Sequence, residues 1–246
     1  MWLVIERERT STLSDPAMVV AMSTSTPQYR AMYSQARELG EYMLQNMQFR
    51  RAATIYCSAF PPEVIVRDGG ISTLPQCHID LSREGGRDIL LLTGDTSPMD
   101  AQYEFAETVL GYAVELGVRE LYSIGARWAE NPIPPEADPE PNGFSTDGVG
   151  VAKLRKSGVK VLTEEPAPFF ASMVVGMAGR RGIRGFKLSV DHGEPSPHTK
   201  SVARLLGVLS SMAGFEVRVN GKKLNEEPEQ KPPQSKRETN DNSIYR

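Results

Sequence analysis

Short unbroken apolar runs alternate along this chain with longer stretches in which hydrophobes return every three or four positions. Met18-Val19-Val20-Ala21-Met22, Ala53 to Cys57, Ile89-Leu90-Leu91-Leu92 after Asp88, Leu121 to Ile124, Val159 to Leu162 and Gly185 to Val190 form the first set. Runs without polar alternation suit strands covered on both faces, as in a parallel sheet between helices. Met32, Ala36, Leu39, Met43 and Met47 line one helical face; Ala101, Phe105, Val109, Ala113 and Leu116 line a second; Val202, Leu205, Leu209 and Met212 line a third. A hydroxyl-Pro pair precedes each: Thr26-Pro27, Ser97-Pro98 and Ser196-Pro197. The hydroxyl can cap an orphan N–H and proline fits the first helical position, so these pairs predict helix starts. Asp100, three residues after Ser97, adds a capping-box candidate. Strands alternating with such helices predict an α/β domain built as a three-layer sandwich.

Two segments depart from that rhythm. Val64-Ile65-Val66 and Ile71 to Ile79, separated by Arg67-Asp68-Gly69-Gly70, predict an inserted hairpin. Ala126 to Gly148 carries five prolines and several acids and predicts a long surface excursion. No repeat recurs along the chain. At the C-terminal end, the nineteen residues Asn225 to Ser243 contain no aliphatic, aromatic or cysteine residue, and three of them are proline. Such a stretch buries too little apolar area to offset its ordering entropy, which predicts a disordered tail. The expected organisation is one domain over residues 1–220 and a flexible tail over 221–246. With 246 residues, 39% of them hydrophobic, the first is long enough for one substantial core.

Charge and composition then remove several functions. A net charge of −3, with Lys and Arg scattered among acids, offers no field for a phosphate backbone, so nucleic acid is excluded as a partner. Cys57 and Cys77 have neither zinc spacing nor a disulfide framework, which points to a reduced, cytoplasmic protein. The first nine residues meet charge too early for a signal peptide, and the small-apolar run Phe169 to Gly179 is too short to cross a bilayer, so no membrane partner is expected. His78, His192 and His198 show no metal-ligand spacing, and no glycine-rich phosphate loop or nucleophile elbow occurs. No catalytic residue, cofactor or metal is therefore assigned.

Two readings of function remain. Asp95, in the loop Thr93 to Ser97, and His192, in Asp191-His192-Gly193-Glu194, each follow a strand at the carboxyl edge where open α/β sheets bind ligands. They would serve a small-molecule enzyme acting on a nucleoside or phosphate. The other reading starts from Ile244, Tyr245 and Arg246, which put a hydrophobe, a tyrosine and a carboxylate at the tip of a tether. A disordered end gains nothing for folding from such residues, so a partner must supply the pocket.

Several segments, in order, give that partner an identity. Ser58 to Val66 with Asp68-Gly69 and Leu74-Pro75 comes first, then Ile89 to Asp95 with Tyr103, Phe105, Ala106, Leu116-Gly117-Val118 and Ile124-Gly125. The third runs from Val174 to Gly214, a small-residue helix, Arg181-Gly182-Ile183, a strand and a closing helix. Together they resemble the proteasome assembly chaperone family of archaea and eukaryotes over most of residues 15 to 215. The resemblance implies a Rossmann-like fold, similar to purine nucleoside phosphorylase without its catalytic machinery. It also implies that Ile244-Tyr245-Arg246, matching a hydrophobe-Tyr-X ending, docks between α-subunits of the 20S proteasome. A homo-oligomer that activates the 20S particle without ATP, or chaperones its assembly, is the expected function. Where many members carry a Gly-rich turn after the first strand, Ser23-Thr24-Ser25-Thr26-Pro27 stands here.

Overall fold

The computed structural model describes residues 1–22, 34–83, 86–125, 127–128, 138–164, 167, 169–192 and 199–216. Along the chain come β1 (Leu3–Arg7), β2 (Ala17–Val20), α1 (Ser34–Asn46), β3 (Arg50–Cys57), β4 (Ile65–Val66), β5 (Ser72–Thr73) and β6 (Gln76–Ser82). They are followed by β7 (Ile89–Gly94), α2 (Gln102–Glu115), β8 (Glu120–Ile124), β9 (Arg127–Trp128), β10 (Pro141–Ser145), α3 (Gly148–Lys156), β11 (Lys160–Val161), α4 (Phe170–Arg180), β12 (Arg184–His192) and α5 (Thr199–Ala213). One large sheet has the order β1-β3-β6-β7-β2-β8-β12-β10-β11, with β9 beside the end of β12. Its centre, β7-β2-β8-β12, is parallel. The flank β1-β3-β6-β7 is antiparallel, as is the pairing of β10 with β12.

The central strands bury both faces because their side chains alternate between two cores. Met18, Val20, Leu90, Leu92 and Leu121 meet Phe105 and Val109 of α2 and Phe170 and Val174 of α4. Ala17, Val19, Ile89, Leu91, Tyr122 and Phe186 meet Leu39 and Met43 of α1 and Leu205 and Leu209 of α5. Each fully buried leucine contributes about 1.5–3 kcal/mol relative to an exposed one, so the unbroken run Ile89–Leu92 stabilises both layers at once. The three-layer arrangement and the three amphipathic faces are as the sequence predicts.

Four expectations need correction. Ser97-Pro98 does not start α2: the helix begins at Gln102 after Ala101, whose φ of 46° and ψ of 36° are left-handed, and no side chain caps it. Asp100 therefore forms no capping box there. The hairpin is confined to β4 and β5, while the residues from Gln76 onward leave it and join the main sheet as β6. The sheet is mixed rather than uniformly parallel. Finally, Pro141 to Ser145, the end of the supposed surface excursion, is a strand inside the sheet between β11 and β12. Proline fits as its first residue, and a Cβ on Gly143 would lie 2.0 Å from the Lys187 carbonyl oxygen, so only glycine allows the close approach. The Thr26-Pro27 and Ser196-Pro197 pairs, Met32 and the tail lie outside the described residues. No helix among the described residues is long and apolar enough to cross a membrane.

Candidate functional site

Ile244, Tyr245 and Arg246 also lie outside the described residues, which reach Glu216 just beyond α5. The body itself carries two features that bear on binding: the carboxyl edge of the sheet and an apolar face around the hairpin.

At the carboxyl edge, Asp95 and His192 are not brought together. The strands that precede them, β7 and β12, are separated by β2 and β8, roughly 14 Å at ordinary strand spacing. Asp95 is moreover committed to structure: its carboxylate accepts from Arg67 Nη2 at 2.7 Å and from the Gln76 N–H at 3.2 Å, tying the hairpin to the end of β7. His192 closes β12 opposite Trp128, and Gly193 and Glu194 lie outside the described residues. The third charged group, Asp191, accepts from Arg127 Nη1 at 2.8 Å and from Asn142 Nδ2 at 2.5 Å. Among the described residues no cluster of His, Cys, Asp and Glu could hold a metal. His78 sits on β6, where burial and then the Arg51 guanidinium touching its Nδ1 push it below the usual imidazole range. His198 lies outside the described residues.

A buried polar cluster that sequence reasoning missed runs beneath α4. The Ser189 hydroxyl donates to Asn142 Oδ1 at 2.6 Å, and Asn142 in turn reaches Asp191. On the same face of β12, Lys187 is only 6% exposed. Burial pulls its ammonium down to about 8, partly opposed by the charge of Asp191. A signal did exist: in Phe186-Lys187-Leu188-Ser189-Val190 the polar residues alternate with apolar ones. That alternation alone reads as a solvent-facing side. The chain enters α4 through Phe169, held at φ 76° and ψ 160°, a conformation that costs a non-glycine residue about 1–3 kcal/mol.

The apolar face lies at the other end of the sheet. Trp2, Tyr56, Phe60, Pro61, Val64 and Leu74 line a groove of about 690 Å³. Beside it Val66 and Ile71 of the hairpin are 68% and 66% exposed, and β1 ends the sheet as an edge strand. Neighbouring exposed hydrophobes of this kind mark interaction surfaces rather than free solvent faces.

The model of the PAC2 family matches residues 36–230. The chain belongs to the PAC2 family. Solved structures share its fold over nearly the whole length. "Pyrococcus furiosus PbaB, an archaeal proteasome activator" is 18% identical over 91% of this chain and 93% of that one, with a TM-score of 0.77. "Pyrococcus furiosus PbaA, an archaeal homolog of proteasome-assembly chaperone" is 16% identical over 89% of both chains, with a TM-score of 0.69. A Mycobacterium tuberculosis proteasome-assembly chaperone homologue is 16% identical over 85% of this chain and 90% of that one, again at 0.69. At such identities these likenesses bear on the fold of this PAC2 protein and not on its partners. No curated protein matches the sequence.

Proposed function

We propose that this PAC2 protein binds the α-ring of the 20S proteasome through Ile244, Tyr245 and Arg246, and acts there without ATP as an activator, an assembly chaperone, or both. It is a binding protein and not an enzyme. One observation carries the reading: the PAC2 match over residues 36–230 is followed by thirteen residues, 231–243, without a hydrophobe and then by Ile244-Tyr245-Arg246. The name of PbaB as a proteasome activator supports the choice of partner.

The chemistry of the three residues divides the work. Ile244 fills an apolar patch, and the Tyr245 ring packs in the pocket while its hydroxyl finds a polar partner. The Arg246 carboxylate pairs with a lysine between adjacent α-subunits, and its side chain is indifferent. A flexible chain of nineteen residues spans roughly 24 Å on average and at most about 65 Å, enough to reach a pocket from the rim of a ring. A three-residue anchor binds weakly, so several tails on one homo-oligomer must act together. The partner is cytoplasmic, and so is the proposed site of action.

Full-length protein is expected to capture 20S particles in a pull-down, and protein lacking Ile244 to Arg246 is expected to lose that capture while keeping its melting temperature. Equal capture by both rejects the tail as the anchor. Stimulated peptide hydrolysis by mature 20S then marks an activator, and changed accumulation of assembly intermediates marks a chaperone. The apolar face supplies a second expectation. Val66→Glu combined with Ile71→Glu places charges on two exposed positions and should convert an oligomer to monomers by light scattering, with little change in melting temperature. An unchanged mass assigns self-association to another surface.

A further inference from the structure

A positive charge that no described residue pairs with is buried where α4 begins. Side chains alternate along β8, so Leu121, which joins the core against α4, shares its face with Ser123 and with Gly125 just beyond the strand. Lys187 on β12 stands opposite Ser123 in the parallel register. From there its stem runs over Gly125: a Cβ on that glycine would lie 2.6 Å from Lys187 Cε and Nζ, and 3.4 Å from Cβ of Ala171 in the first turn of α4. The missing side chain of Gly125 is thus the space that the ammonium occupies, beside the helix N-terminus.

No described residue neutralises that ammonium within ion-pair distance. Asp191 is the charge that acts on it, and its two oxygens are taken by Arg127 and Asn142. From Phe170 to Gly179, α4 has no charged residue at all. The Ser123 hydroxyl, fully buried on the same face, has no hydrogen-bond partner among the described residues. The N-cap residue, Phe169, has no side-chain acceptor to cap α4, and helix geometry leaves the N–H groups of Phe170 and Ala171 without intrahelical acceptors. A lysine, an orphaned hydroxyl and a helix N-terminus thus share one face, each with protons to donate and none with a described carboxylate bonded to it. Buried donors in this state are costly, and an anion answers all three at once.

We propose that the start of α4 and the strand face it covers form a binding site for a small anionic group, a carboxylate or a phosphate, held by the Lys187 ammonium, the Ser123 hydroxyl and the first-turn N–H groups of α4. This site is independent of the tail and of the proteasome reading. Carboxylate and phosphate share the required chemistry, single or paired oxygens that accept from N–H and O–H donors.

Titration calorimetry on the full chain, with inorganic phosphate and with acetate as separate probes, distinguishes the two. Saturable binding of either one supports the site and tells which group it takes. Lys187→Met is expected to weaken binding by roughly ten- to a hundredfold, the worth of a charge-assisted contact, and Ser123→Ala by about fivefold. Gly125→Ala keeps the lysine but displaces its tip, and should weaken binding while the protein still melts cooperatively. Absence of saturable binding for both probes overturns the proposal, as does equal binding by wild type and Lys187→Met.

Discussion

Glu120→Ala is expected to destabilise the protein by about 3 kcal/mol, a value at the lower end for breaking a buried ion pair. The carboxylate of Glu120 starts β8 and holds three elements together. It accepts from Arg87 Nη1 at 2.7 Å, from Lys153 Nζ of α3 at 2.8 Å and from the Tyr122 hydroxyl at 3.0 Å. Arg87 also donates to the Ala213 carbonyl, and the single Tyr122 hydroxyl proton is shared between Glu120 and the Met212 carbonyl, 3.0 Å from each, so the end of α5 depends on the same cluster. The side chains of Arg87 and Glu120 are only 12% and 13% exposed, and removing the acid leaves the guanidinium with no described carboxylate but the exposed Asp15, 3.2 Å away. Lys153 is 31% exposed and regains water, which keeps the loss from reaching the upper end of the range.

The same cluster predicts an acid response. Burial raises the Glu120 pKa, yet the hydrogen bonds from Lys153 and Arg87, with the charge of Lys153, outweigh it and hold the carboxyl below its ordinary value. A depressed folded-state pKa contributes stability above the unfolded value of about 4.3 and loses it as pH falls through the folded one. Urea melts of wild type and Glu120→Ala should therefore differ most near neutral pH and converge below about pH 4. A difference that stays constant with pH would assign the loss to packing instead.

Lys187→Met should act in the opposite direction and stabilise the anion-free protein. Burial moves this ammonium from the usual lysine value near 10.4 down to about 8. At about 1.36 kcal/mol per unit, the buried charge costs on the order of 3 kcal/mol near neutral pH. Methionine has a similar length, no charge and enough flexibility to lie over Gly125. For a chain of this size the gain corresponds to roughly 6–12 °C in melting temperature. Between about pH 8 and pH 10.4 the unfolded chain holds the lysine proton that the folded one has released, so wild-type stability rises with pH across that window. The advantage of the variant should shrink over the same range. A variant no more stable than wild type at neutral pH means that the ammonium is already compensated in the purified protein, as by a retained anion.

Much of the fold is written in local spacing. Leu39 with Met43, Phe105 with Val109, and Leu205 with Leu209 fall on buried faces because a helix of 3.6 residues per turn leaves them no other place. Ile89–Leu92 and Met18–Val20 carry no polar alternation and occupy the doubly covered centre of the sheet. The polar positions misled. Asp95 looks like a free carboxylate until Arg67, twenty-eight positions away, arrives from the hairpin. Pro141-Asn142-Gly143 reads as a loop by propensity, and becomes a strand because β12 and β11 supply partners on both sides. Propensity is a local quantity, and pairing with distant strands overrides it.

The sequence by itself determined the layered α/β core, its helical faces and the Ile244-Tyr245-Arg246 ending on which the partner proposal rests, because each of these depends on residues near one another in the chain. Only the tertiary structure decided that Lys187 and Ser123 face a helix instead of water. Which side of a strand is covered depends on where α4 packs, and nothing within the strand encodes that choice.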